Sequence, residues 1–386
     1  MRATEDWRKE SGGAALGAQM WARHPWRPSF WLGANVRALT RLFVRNRFAV
    51  GWRHLSIFPE TAVTAVGHTV LGTVQTALLG RRIDRARVEA PLFVLGHWRS
   101  GTTWLHELLS CDPRHAAPTT YECFAPSHFL LTETLARRWL RWLLPSTRPT
   151  DAMPLTLESP QEDEFALCNL GLPSPYLSIA FPNRPAQDGE YADLETVEAA
   201  ARERWKRGLV RFLKTVALAN PGRRLVLKSP FHTSRIKILL ECFPDARFVH
   251  IVRDPHAVFA STVNMCKAMY RWCSLQTSTL DGLEPNVLEV FVRMATALER
   301  GRYLVDPSRF YELRYEDLVR DPRAELRGLY GRLELGDFGT AASAVDDYLA
   351  RRSDFRPRGY APVAPVWRTE VSRRWGPLVR RHGYEC

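Results

Sequence analysis

Apolar positions along the chain fall into two patterns that mark different elements. Short unbroken runs at Leu92–Leu95, Leu225–Leu227 and within Arg247–Val252 read as strands buried on both faces, because a strand with one face in water would alternate apolar with polar. Elsewhere apolar residues recur every three or four positions, which predicts helices: from Thr102 through Leu109, from Ser234 to Cys242, and over Leu135–Leu144, a basic, Trp-bearing stretch stopped by Pro145. The segment Phe30–His54 shows the helical period most clearly, with Arg37, Arg41 and Arg45 on one stripe and Leu32, Val36, Leu39 and Phe43 on the opposite one. This basic amphipathic helix either packs on its own domain, the favoured reading, or lies on an anionic membrane with Trp21, Trp26, Trp31 and Trp52 at the headgroups. Thr61–Gly80 has about a membrane-spanning length and no charged residue, but it is dotted with Thr, Gly, His68 and Gln75. It is expected to be a buried small-residue helix. Residues 1–85 are therefore expected to form a helical extension ahead of a larger domain over residues 86–386.

Composition narrows the partners. The 386 residues suffice for one large α/β domain with an extension, or two modest domains. Fifty-four basic residues against 41 acidic ones leave a net charge of +13, a surplus that attracts an anionic cofactor, an acidic membrane surface, an acidic acceptor or nucleic acid. No basic-aromatic stacking array or nucleic-acid motif accompanies the charge, so nucleic acid is not expected. Seven scattered cysteines show no paired or metal-ligand spacing, which fits a reducing compartment. The first residues, Met1-Arg2-Ala3-Thr4-Glu5-Asp6-Trp7, lack the basic and apolar regions of a secretory signal. The expected location is cytoplasmic, with peripheral membrane contact through the N-terminal helix as the variant reading.

The chemistry concentrates after the first strand. Gly96-His97-Trp98-Arg99-Ser100-Gly101-Thr102-Thr103-Trp104 joins strand to helix with a glycine at each end of the turn. Such a turn curls backbone amides around an anion, and the following helix aims its free N–H groups at the same point. The frame matches a nucleotide P-loop except that Thr102 replaces the lysine that reaches the β/γ-phosphates. A nucleoside triphosphate is thereby disfavoured, and Arg99 supplies the charge. A second anion site is expected where the strand Arg247–Val252 ends in Arg253-Asp254-Pro255, with Ser261 eight residues after the arginine. Lys228-Ser229-Pro230 ends another buried strand, and ligands gather at the carboxyl ends of strands in open α/β sheets.

The run Arg99-Ser100-Gly101-Thr102-Thr103, together with Arg253-Asp254-Pro255 and Ser261, resembles the sulfotransferases that use 3′-phosphoadenosine 5′-phosphosulfate (PAPS). Trp98 stands where their loop commonly has proline. The resemblance spans roughly residues 90–385. It implies an α/β domain with a parallel β-sheet flanked by helices, related to nucleotide kinases, with an acceptor-side helical cap at about 125–215. It also implies in-line transfer of a sulfonate from PAPS to a hydroxyl or amine, with adenosine 3′,5′-bisphosphate leaving and no metal taking part. The donor would be held by Gly96, Arg99, Ser100, Gly101, Thr102, Thr103 and Trp104 at one end, and by Arg253 and Ser261 at the other. Lys228 would stabilise the leaving oxygen. The resemblance offers Glu122 as the first candidate base and His232 as the second. The acidic stretch Glu158–Phe165 offers Asp163 and Glu164 as acceptor contacts or as a base, the family's strand ending Tyr-Glu-Asp-Leu is matched from Phe310 to Leu318 with Tyr315 either a core residue or a neighbour of the nucleotide, and Arg356 or Arg358 would cover the 3′-phosphate.

Two other functions remain open at this level. A P-loop-type small-molecule or nucleotide kinase would need Mg²⁺ and usually an acidic strand end, where this chain has Arg253. A non-catalytic basic adaptor on membranes or nucleic acid would use the charge alone. The tryptophan-rich basic helices lean the acceptor toward an amphiphilic or lipid-linked hydroxyl compound. Neither the acceptor's identity nor the oligomeric state is legible.

Overall fold

Successive strand residues point to opposite faces, and here both faces are apolar. In the computed structural model, which describes residues 30–139, 155–352 and 364–384, five strands form one sheet: β1 (Leu92–Leu95), β2 (His115–Ala116), β3 (Arg224–Lys228), β4 (Arg247–Val252) and β5 (Phe310–Arg314). All pairings are parallel, in the order β2-β3-β1-β4-β5. Leu92 lies opposite Val226 on one side and Arg247 on the other, so β1 is central. The sheet order reverses around it, which leaves a crevice at its carboxyl end, where ligands of open α/β sheets bind.

Fourteen helices are used below, numbered along the chain among the described residues. The first seven are α1 (Val36–Arg45), α2 (Ile57–Arg85), α3 (Thr102–Leu109), α4 (Thr120–Phe124), α5 (Phe129–Trp139), α6 (Asp163–Asn169) and α7 (Ala199–Ala219). The remainder are α8 (Ile236–Cys242), α9 (Pro255–Cys273), α10 (Leu283–Arg302), α11 (Tyr315–Arg320), α12 (Pro322–Arg332), α13 (Gly339–Arg351) and α14 (Pro365–Val379). Phe93, Leu95, Leu227 and Phe248 form one core with Phe129 of α5, Trp205 and Phe212 of α7 and Leu239 of α8. Leu92, Val94, Val226 and Ile251 form the other with Leu105 of α3, Leu329 of α12 and Val345 of α13. Burying each such side chain contributes roughly 1.5–3 kcal/mol. Helices thus cover both faces of a parallel sheet, as the unbroken apolar runs require.

Three expectations need correction. The helix expected over Phe30–His54 is regular only from Val36 to Arg45; Asn35 caps its start through a bond from the Ala38 N–H, and the chain turns at Arg47 and Phe48, both at φ 52°. Its apolar stripe, Ala38, Leu39, Leu42 and Phe43, is buried against Tyr176, Phe181 and Phe231, so this stripe is used inside the molecule. Thr61–Gly80 is helical but not buried. Its inward side carries Thr61, Ala65, Gln75 and Gly80 while its valines face out, because small and polar residues are what its close-packed neighbours admit. The strand expected to run on through Tyr315-Glu316-Asp317-Leu318 ends at Arg314, and Tyr315 opens α11. The second half of Leu135–Leu144, and Arg356 and Arg358, lie outside the described residues.

Candidate active site

The turn after β1 depends on its glycines. Gly96 has φ 148°, and a Cβ there would stand 2.7 Å from Ser100 Oγ and 2.8 Å from the Ile251 carbonyl oxygen. Gly101 has φ 107°, and a Cβ there would run into the Tyr315 ring. Both conformations lie in the left-handed region that L side chains avoid. Arg99 adopts φ 68° in the same turn. Ser100 Oγ donates to the His97 carbonyl at 2.8 Å and closes the loop on itself. Because the N-cap of α3 is Gly101, no side chain caps the helix, and its first N–H groups, from Thr102, Thr103 and Trp104, remain directed at the space the turn encloses.

The neighbouring strand ends converge on this turn. Pro230 ends β3 and begins a single tight turn, Pro230–Ser234, which returns Thr233 to the loop. Its Oγ1 accepts from the Gly96 N–H at 2.8 Å. Asp254 caps α9 by accepting from the Ala257 N–H at 2.7 Å, with Pro255 in the first turn. The helix so started presents Ser261, whose buried Oγ accepts from Arg99 Nε at 2.7 Å. Arg253 donates to the Arg99 carbonyl at 3.1 Å and lies 4.3 Å over the Tyr315 ring. Arg99 therefore stands with Ser261 and Arg253, not alone at the cradle, and Tyr315 serves as their platform.

On the other side three consecutive acids at the start of α6 meet Lys228, His232 and Arg235, which follow in the chain at and after the end of β3. Glu162 Oε1 accepts from Lys228 Nζ at 2.6 Å. Asp163 meets His232 Nε2 at 2.8 Å, and Glu164 pairs bidentately with Arg235, all four of these side chains being fully buried. Burial alone would push the Asp163 carboxyl up, but the charge and hydrogen bond of His232 outweigh it and hold it below its usual value. Breaking a buried pair of this kind costs about 3–5 kcal/mol. Glu162 alone of the three acids keeps contact with solvent, its side chain 14 % exposed. Its second oxygen accepts from the Tyr176 hydroxyl at 2.7 Å, which in turn accepts from Trp98 Nε1 at 2.7 Å. Trp98, Tyr176, Phe165 and Phe231 pack ring against ring beside it. Buried Ser229, next to Lys228, has an Oγ without a hydrogen-bond partner among the described residues.

Glu122 stands elsewhere. Its carboxylate closes a capping box at the start of α4, accepting from the Thr119 N–H at 2.7 Å. It lines a cavity of about 490 Å³ with Glu107, Ser110 and Cys111 at the far end of the cradle helix. Burial pushes its pKa up to about 8. His232 lies close to Lys228 in the chain, but it is sealed in the core against Asp163 and the Phe93 ring.

Sequence reasoning had not singled out Glu162, Tyr176 or Thr233. The available signal for Glu162 was its place in an unbroken run of three acids at a helix start, since three successive side chains point in three directions and one of them must differ in exposure. A glycine-lined cradle, an Arg/Arg/Ser group that includes the cradle's own Arg99, and a lysine paired with a partly exposed carboxylate together suit an anionic ligand with more than one charged group.

Residues 91–338 match the sequence model of the sulfotransferase family. Over 361 residues the chain is 46 % identical to omega-hydroxy-beta-dihydromenaquinone-9 sulfotransferase Stf3 of Mycobacterium tuberculosis, covering 93 % of this chain and 92 % of the relative, and the same figures hold for Stf3 of Mycobacterium bovis. Among solved structures the chain is similar to sulfotransferase STF9 from Mycobacterium avium, with TM-score 0.66, 19 % identity and coverage of 85 % of this chain and 86 % of that one. It is likewise similar to sulfotransferase STF1 from Mycobacterium tuberculosis, with TM-score 0.64, 19 % identity and coverage of 88 % and 91 %. At that identity the two structures speak to the fold.

Proposed function

The chain belongs to the sulfotransferase family, and on that premise we propose that it moves a sulfonate from PAPS to the terminal hydroxyl of a polyprenyl quinone lipid. The observation that carries the acceptor class is the 46 % identity, over nearly the whole of both chains, to an enzyme whose named substrate is a hydroxylated dihydromenaquinone. The aromatic group of Trp98, Tyr176, Phe165 and Phe231 suits a flat quinone ring or an isoprenoid end.

PAPS carries anions on both sides of its ribose, and two neighbouring anion-binding groups meet that demand. The cradle amides from Gly96 to Trp104 would hold the phosphosulfate, and Arg253, Ser261 and Arg99 the 3′-phosphate. When bound, the donor supplies an activated sulfur with adenosine 3′,5′-bisphosphate as its leaving group. The acceptor oxygen forms the new bond to sulfur while the bond to the bridging oxygen breaks. Glu162 takes the hydroxyl proton, and Lys228 neutralises the charge left on the bisphosphate. Tyr176 is a positioning residue: its hydroxyl fixes the Glu162 carboxylate and links it to the loop through Trp98.

Transfer of ³⁵S from labelled PAPS into an omega-hydroxylated menaquinone, compared with a soluble phenol and a free sugar, tests the reading. Glu162→Gln is expected to lower kcat by about 10²–10⁴-fold, with binding of the bisphosphate product unchanged by calorimetry. Glu122→Gln keeps an oxygen for the Thr119 N–H and is expected to stay within a few-fold of the parent. A reversal of those two results moves the base to Glu122. Bisphosphate binding no tighter than AMP would remove PAPS as donor.

A further inference from the structure

The helix α2 is built inside out for a helix surrounded by water. Along its 29 residues the buried positions are Thr61, Ala65, Gln75, Gly80 and, in the last turn, Ile83, while Val63, Val66, Val70, Val74 and Leu78 point away from the protein. Val63 is 73 % and Leu78 66 % exposed. The stripe follows the helical repeat for about 22 Å at 1.5 Å per residue, and no charged residue interrupts the helix between Glu60 and Arg81. A soluble helix turns its valines inward, and contiguous exposed apolar surface of this size marks an interaction site. We propose that α2 lies in the plane of an anionic phospholipid bilayer and docks the enzyme on it through this stripe.

Three observations select a bilayer as the occupant. The stripe runs between exposed Trp52 and Arg53 on one side and exposed Arg81, Arg82 and Arg85 on the other, so an apolar centre is flanked by an interfacial aromatic and by cations that meet lipid phosphates. The apolar surface extends to the neighbouring α5. The segment leading into α5 packs on α2, with Ser127 Oγ donating to the His68 carbonyl at 3.2 Å, and Leu135 and Trp139 of α5 are exposed. The chain's net charge of +13 opposes a second copy on this face and favours an anionic surface. The helix does not cross the bilayer as a single span. Its inner side is bound along its length, through the Val36 N–H to Thr69 Oγ1 at 3.0 Å and the ion pair of Asp84 with Arg211 at 2.8 Å, so a span would carry polar neighbours into hydrocarbon.

Flotation of the full chain with acceptor-free vesicles tests this independently of the transfer reaction. Vesicles of phosphatidylcholine with one-third phosphatidylglycerol are expected to carry the protein upward, and vesicles of phosphatidylcholine alone far less. The triple variant Val66→Asp, Val70→Asp, Val74→Asp changes exposed positions only. It is expected to lose at least 10-fold in partitioning while keeping its circular dichroism melt and its turnover of a soluble acceptor. Equal flotation of parent and triple variant, or none by the parent, overturns the proposal. A parent dimer that the triple variant converts to monomer would assign the stripe to a second copy instead.

Discussion

Among single residues, Glu122 shows how burial decides chemistry. Its pKa rises from 4.5 to about 8 in the folded chain because the carboxyl is buried. The folded state therefore holds a proton that the unfolded state has released, and between about pH 4.5 and 8 stability falls as pH rises, by up to about 1.4 kcal/mol per pH unit. Urea titrations at pH 5.5, 6.5 and 7.5 are expected to show this slope for the parent relative to Glu122→Gln. Parallel pH dependences would mean that the carboxyl is not buried as a neutral acid. The sequence placed Glu122 beyond the cradle helix, and the family resemblance offered it as a candidate base. It could not show the capping box with Thr119, which points the carboxylate into a different cavity. Conversely, Glu162, Asp163 and Glu164 are indistinguishable as a run of letters. Their three partners, Lys228, His232 and Arg235, lie more than 60 residues away and are brought in by the crossover to β3.

Among elements, the loop from Gly96 to Gly101 was legible because its requirement is local. Only a residue without Cβ takes φ 107° at Gly101 at low cost, and only such a residue fits under the Tyr315 ring. Gly101→Ala is expected to weaken binding of adenosine 3′,5′-bisphosphate at least 10-fold by calorimetry, since the first turn of α3 must shift to clear the ring. Undiminished affinity would show that the cradle amides do not hold the ligand. The strands were legible for the same reason, each being a run of apolar residues that two covered faces demand. The length of the N-terminal helix was not, because the apolar stripe alone does not reveal the turn at Arg47 and Phe48. Nor was the orientation of α2. Its composition fits a buried or an exposed helix equally well, and its packing partners decide which side faces them.

At the scale of the whole molecule, the region before β1 helps build the site. Trp31 is 2 % exposed, donates from Nε1 to the Cys273 carbonyl at 3.0 Å, and shares a core with Tyr176, Phe181 and Phe231, so the aromatic group proposed to meet the acceptor packs on it. Trp31→Ala is expected to cost about 3–5 kcal/mol of stability and to raise KM for the acceptor while bisphosphate affinity stays unchanged. An unaltered acceptor KM in a folded variant would separate that region from the aromatic group. The family, the parallel sheet and the anion cradle followed from the amino acids in order, because buried strands and glycine turns are written in contiguous residues. Which carboxylate faces the crevice, where Arg99 directs its guanidinium, and which side of α2 meets solvent were settled only by the folded chain. Each depends on partners distant in sequence, and a side chain's protonation and reach are set by what surrounds it in space.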